Sequence, residues 1–242
     1  MNLKIAVINF SGNVGKTLVA SYLLKDRMPD TQLVSIETIN SDEGTQDSTI
    51  KAKQFGSLQE ALLINDSLII DIGASNVEET VRLMKQYHGS HEDIDYFIIP
   101  VTREKKQIRD SIQTMDALIN EIGIPPSKIK FVFNKIESDD LEEISSDFSP
   151  IFLLGEKCDG LKINPNAVIL FNEIYQLIRS KGFTISELVN DQTDYRAQLK
   201  QADITAEQRK YCVDMITMKR LAVSANENLD QVFKSLFGKA KK

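Results

Sequence analysis

The stretch from Asn9 to Leu18 reads NFSGNVGKTL, and its last residues carry the strongest chemical signal in the chain. Gly15, Lys16 and Thr17 stand where an apolar run, expected to be a strand, gives way to a helical pattern. In that setting the backbone N–H groups of Gly12, Asn13, Val14, Gly15, Lys16, Thr17 and Leu18 can close around phosphate oxygens. The positive end of the helix dipole assists them. A lysine at position 16 would neutralise β- and γ-phosphates, and a threonine hydroxyl at position 17 would ligate Mg²⁺. A strict G-x-x-x-x-G-K-T loop needs glycine at position 10, where this chain has Phe10. The chemistry expected is nucleotide binding on a loop that departs from the common pattern.

Such a loop must be held by a strand before it and a helix after it, and the rest of the chain supplies more of the same. Short apolar runs alternate with longer amphipathic stretches, the pattern of βαβ units on a parallel sheet. The strand candidates are KIAVINF, QLVSIETI, SLIIDIG, DYFIIPV, KIKFVFNKI and PIFLLG. Most are dense in Ile, Val, Leu and Phe without alternation, as strands covered on both faces are. Helical spacing marks GKTLVASYLLKDRM, NVEETVRLMKQYH, EKKQIRDSIQTMDALINEIG and NPNAVILFNEIYQLIRSKG, the last with Gly182 as its stop. The expected fold is α/β, a mostly parallel sheet flanked by helices. A polar boundary near VNDQTDYRAQ divides a nucleotide-binding domain, 1–190, from a helical extension, 191–242. In that extension Tyr211, Met215, Met218, Ala222, Ala225, Leu229, Val232 and Leu236 recur at steps of four and three. They form an apolar seam for packing on the body or, alternatively, on a second copy.

The loop resembles the deviant Walker A motif of the ParA/MinD superfamily of ATPases, written K-G-G-x-G-K-T. Aligned on Gly15, Lys16 and Thr17, the chain keeps Gly12, has Asn13 for the second glycine, and has Ser11 where the signature lysine stands. Asn13 is a mild change, because Asn tolerates a left-handed backbone. Ser11 is not mild, since a neutral hydroxyl supplies no cation for phosphoryl transfer. The string NFSGNVGKT is most similar to StbB-type plasmid stability proteins, a ParA-related branch found with conjugative plasmids. The superfamily likeness spans roughly residues 1–185 and implies roles for further residues. Glu37, closing the second strand, falls where the superfamily has an Asp that positions the attacking water. Asp71 matches the Walker B acid that holds Mg²⁺, with Gly73 turning the backbone after it. Asn134 resembles the Asn that reads adenine, and Arg109 and Asp110 fall in the superfamily's strand-to-helix segment. The resemblance thus implies an ATP- or ADP-binding, Mg²⁺-dependent switch, with Lys16 and Glu37 as catalytic residues. It also implies a homodimer, a plasmid-encoded DNA-binding partner protein, and slow hydrolysis because of Ser11. A nucleotide-binding adaptor without hydrolysis and a dethiobiotin-synthetase-like enzyme are the alternatives.

Bulk properties narrow the setting. At 242 residues with 42% hydrophobic content, the chain can bury a sizeable core. No apolar run reaches the length of a spanning helix and no secretory signal opens the sequence, so a cytoplasmic protein is expected. Cys158 and Cys212 match no metal-ligand spacing. His88 and His91 beside Glu92 and Asp93 read as a solvated loop rather than a metal site. Ten Lys/Arg against seven Asp/Glu from Asp191 onward give the extension +3, leaving −9 of the total −6 on residues 1–190. An acidic body argues against nucleic acid wrapping over the whole protein. The tail LDQVFKSLFGKAKK sets Phe233, Leu236 and Phe237 beside Lys234, Lys239, Lys241 and Lys242. Such a face could lie on the inner membrane surface, track DNA phosphates, or simply end a helix.

Overall fold

Dense Ile/Val/Leu/Phe runs cannot leave either face in water, and here they form one sheet covered on both sides. The computed structural model describes residues 2–36, 48–50, 55–137 and 140–238. Among these, seven strands pair in parallel: β1 (Lys4–Val7), β2 (Gln32–Ile36), β3 (Ser48–Ile50), β4 (Leu68–Ile72), β5 (Tyr96–Val101), β6 (Ile129–Ile136) and β7 (Val168–Leu170). Their order is β3-β2-β4-β1-β5-β6-β7. The chain runs to one side of β1 and then crosses to the other, so a crevice opens beyond the C-terminal end of β1.

The helices are α1 (Lys16–Leu18), α2 (Phe55–Ile64), α3 (Val77–Gln86), α4 (Lys105–Asp116), α5 (Leu141–Asp147), α6 (Ser149–Lys157), α7 (Ile174–Lys181), α8 (Ile185–Asn190), α9 (Tyr195–Gln198) and α10 (Ala206–Phe237). After α1 the coil continues as a π-helical stretch, Val19–Leu24, and a 3-10 turn, Lys25–Arg27. Alternation along β1 feeds two cores. Ala6 and Ile8 join residues of α2, α3, α4 and α6 on one face, while Ile5 and Val7 join Val19, Leu23 and residues of α7, α8 and α10 on the other.

Two sequence expectations fail, both at short apolar runs. PIFLLG is not a strand but lies in α6. Pro150 occupies the first turn, where its missing N–H removes no helical bond, and Leu153 is 49% exposed, which a doubly covered strand would not allow. Conversely, Val168–Leu170, read as part of a helix from Asn164 to Gly182, is β7 on the open edge of β6. The helix itself is only Ile174–Lys181. Its stop at Gly182, φ 73°, is as expected.

α10 closes the second face. Thr205 and Gln208 form a capping box at its start, and Gly238 ends it. Seven of the eight seam residues, from Met215 to Leu236, are buried in the second core, whereas Tyr211 is 52% exposed. Asn228 also covers the sheet edge, accepting from Leu170 N at 3.0 Å and donating to Val168 O at 3.0 Å. Unpaired backbone on an edge strand is thereby satisfied by a side chain. Phe233 and Leu236 are buried and Phe237 packs on Tyr96, so the apolar face of the tail lies against the body. Lys239, Lys241 and Lys242 lie outside the described residues.

Candidate functional site

β1 delivers Asn9 to the crevice, and from there each loop residue is fastened. Asn9 is fully buried. Its Nδ2 donates to Pro100 O and to Ser111 Oγ, both at 2.8 Å, and its Oδ1 accepts from Ser11 N at 2.8 Å. Phe10 N donates to Thr114 Oγ1 at 3.0 Å, and Ser11 Oγ donates to Asp110 Oδ2 at 2.5 Å. Three consecutive loop residues are thus tied to one face of α4. Ser111 and Thr114 are partners that sequence reasoning missed, and Asp110, placed in the strand-to-helix segment, takes its role here as acceptor for Ser11. Asp110 and Ser111 stand four and three residues before Thr114, a helical spacing that is a signal for polar groups sharing one face.

The second half of the loop turns on left-handed residues. Asn13 has φ 59° and Gly15 has φ 97°. The first shows Asn serving where the related motif has glycine. At Gly15 space matters as well, because an added Cβ would lie 2.0 Å from Asn134 Nδ2. That amide donates to Val14 O at 2.8 Å, so Asn134 of β6 braces the loop from the far side. Beside it, Lys135 Nζ donates to Asn13 O at 2.9 Å.

Lys16 is 8% exposed and donates from Nζ to Ser11 O at 2.6 Å and Asn9 O at 3.2 Å. Burial lowers its pKa, and the negative charge of Asp71 pulls it partly back. Thr17 Oγ1 donates to Asp71 Oδ2 at 2.7 Å. Pairing of Val7 with Asp71 across β1 and β4 sets this carboxylate beside the loop. A hydroxyl and a carboxylate so close form the hard oxygen set that suits Mg²⁺, and the site fits that ion.

A cavity of about 580 Å³ opens from the loop toward α7. Of the residues expected at the site, Asn13, Gly15, Lys16, Thr17, Leu18 and Asn134 line it. Val14 is buried beneath the loop, and Gly12 is exposed with open space around it. Asp71 reaches the site through Thr17. Glu37 lies outside the described residues. Gly73 has φ −56°, a conformation open to any residue, so its backbone does not require glycine. Arg109 is exposed, while its neighbour Asp110 joins the loop. The far wall holds Phe171, Tyr175 and Arg179, which the sequence did not mark out. His88 and His91 lie in a turn region, and no group of three His, Cys, Asp or Glu among the described residues could hold a metal.

No protein-family model matches this sequence, and no curated protein matches it. Solved structures share its fold. The MinD cell division protein of Aquifex aeolicus superposes with a TM-score of 0.52 at 13% identity, covering 99% of this chain and 98% of that one. A Cyanothece McdA–ATP complex gives 0.51 at 14% identity, with 99% and 98% covered. The pNOB8 ParA bound to nonspecific DNA gives 0.50 at 10% identity, with 99% and 100% covered. Among the described residues, no helix is long and apolar enough to cross a membrane.

Proposed function

We propose that this chain is a Mg²⁺-dependent ATP- and ADP-binding protein that works as a nucleotide switch in plasmid partition or stability, with slow hydrolysis. One observation carries the reading. Lys16, buried under the loop, and the Thr17–Asp71 pair meet at the mouth of a cavity large enough for a nucleotide. In the free protein Lys16 rests on two neutral carbonyls. A phosphate oxygen is a better acceptor for its ammonium, which gives binding its driving force. Bound Mg²⁺, held through Thr17 and Asp71, would neutralise phosphate charge. Asn134 gives one of its two amide protons to Val14 O, which leaves the other proton and Oδ1 as the donor and acceptor that an adenine edge can pair with. The named neighbours, one an ATP complex and one bound to DNA, support the same reading.

Slow turnover follows from Ser11. It is 3% exposed, carries no charge, and commits its hydroxyl to Asp110. That arrangement also favours the second reading, an adaptor that binds nucleotide without significant hydrolysis. Glu37 as the water-positioning residue, a homodimer, a DNA-binding partner protein and a link to conjugation complete the proposal, with 1–190 as the nucleotide-binding domain and 191–242 as its helical extension. The test is calorimetric titration of the intact protein with ATP, ADP and GTP in the presence and absence of Mg²⁺. Adenine nucleotide should bind in preference to GTP, and Lys16→Ala should weaken ATP binding. No adenine nucleotide binding at millimolar concentration would sink the reading.

A further inference from the structure

The cavity holds more positive charge than the loop motif accounts for. Among the described residues, Lys16, Lys135 and Arg179 line it, against the single carboxylate of Glu173. Lys135 differs from the others in its backbone. Its φ of 59° lies in the left-handed region, which lysine seldom enters. At the same point the β6–β7 register slips between Asn134 and Ile136, so Lys135 is the extra residue of a bulge. Strained residues of this kind persist where the fold imposes them, and they gather at ligand sites. The result here is specific: the ammonium is carried onto Asn13 O at 2.9 Å, beside the phosphate loop. Among the described residues no carboxylate lies within ion-pair distance of it.

A lone carbonyl is a modest partner for a full charge, whereas a phosphate chain supplies acceptors that are themselves ionised. We propose that Lys135 is a second nucleotide-binding cation, acting within the same chain as Lys16 on the phosphates of the bound nucleotide. The proposal rests on the nucleotide reading of this cavity. It gives the site a cation in cis, in a loop whose own position 11 is neutral. A lysine that merely braced the turn at Asn13 would show its loss as a lower melting temperature without nucleotide.

The full-length protein and its Lys135→Met, Lys135→Gly and Lys135→Arg variants would be titrated with Mg-ATP by calorimetry and melted without nucleotide. Loss of a charge-assisted contact should weaken ATP binding of the Met and Gly variants by about tenfold or more. Lys135→Arg should recover most of it. Lys135→Gly should melt no lower than the parent, because glycine relieves the left-handed strain. Undiminished ATP affinity in the Met and Gly variants, with the parent binding normally, overturns the proposal. A parent that binds no ATP overturns the nucleotide reading of the cavity, and this role with it.

Discussion

Gly15→Ala offers the sharpest check on how the loop after β1 is built. Two costs can be worked from the structure. A left-handed φ of 97° costs an alanine about 1–2 kcal/mol. The new Cβ would also stand 2.0 Å from Asn134 Nδ2, far inside contact distance. Asn134 is 1% exposed, so its amide cannot move aside without breaking its bond to Val14 O. Leaving that buried carbonyl unpaired costs about 1–3 kcal/mol. The sum, about 2–5 kcal/mol, is a large part of the roughly 5–15 kcal/mol that hold a typical domain together. The two costs separate in a cycle with Asn134→Ala. Removing the amide clears the space, so Gly15→Ala in that background should cost only the backbone strain. The coupling between the sites should then be about 1–3 kcal/mol. Denaturant unfolding of the four proteins measures it. A Gly15→Ala cost below about 0.5 kcal/mol, the range of an ordinary surface change, would refute the close approach. So would strict additivity of the two substitutions.

If the proposed homodimer forms face to face, Ser11→Lys should raise ATP turnover by supplying charge to the second copy's phosphates, a type of contact worth on the order of 10³ to 10⁵ at most. Asp110 accepts from Ser11 at 2.5 Å and would hold the new ammonium, so the gain should grow when Asp110→Asn is added. Phosphate release by the single and double variants tests this, and brisk parent turnover unchanged by either would refute it. Removing Val232 to Lys242 strips buried Val232, Phe233 and Leu236 from the second core. At about 1.5–3 kcal/mol each, their loss approaches the whole stability of a domain, so that truncation should unfold. Removing only residues 239–242 should leave melting and nucleotide binding unchanged. Circular dichroism melts distinguish the outcomes, and a stably folded 1–231 fragment would contradict the burial of α10.

Some of this protein could be read directly from its sequence because the causes are local. A strand–glycine–lysine–threonine–helix succession is a local pattern, which is why the loop and its flanking elements could be expected, and Asn13 is one of the few residues able to replace glycine in a left-handed turn. Gly182 ends α7 for the same backbone reason. The seam of α10 is a periodicity, visible without knowing what it packs against, and only the folded chain shows that it meets the body. Short apolar runs are another matter. PIFLLG and VIL look alike, yet the second pairs with β6 while the first lies in α6 with Leu153 exposed. The partners of the site residues lie further still from any local signal. Ser11 meets Asp110, 99 residues on, Asn134 meets Val14, 120 residues back, and Lys135 meets Asn13, 122 residues back. Those pairings exist because the order β4-β1-β5-β6 brings Asp71, the α4 face and the β6 bulge around the end of β1. Strand order is set by the total burial of two cores. No single stretch of sequence carries that sum, so only the folded chain decides which side chains the loop after β1 touches.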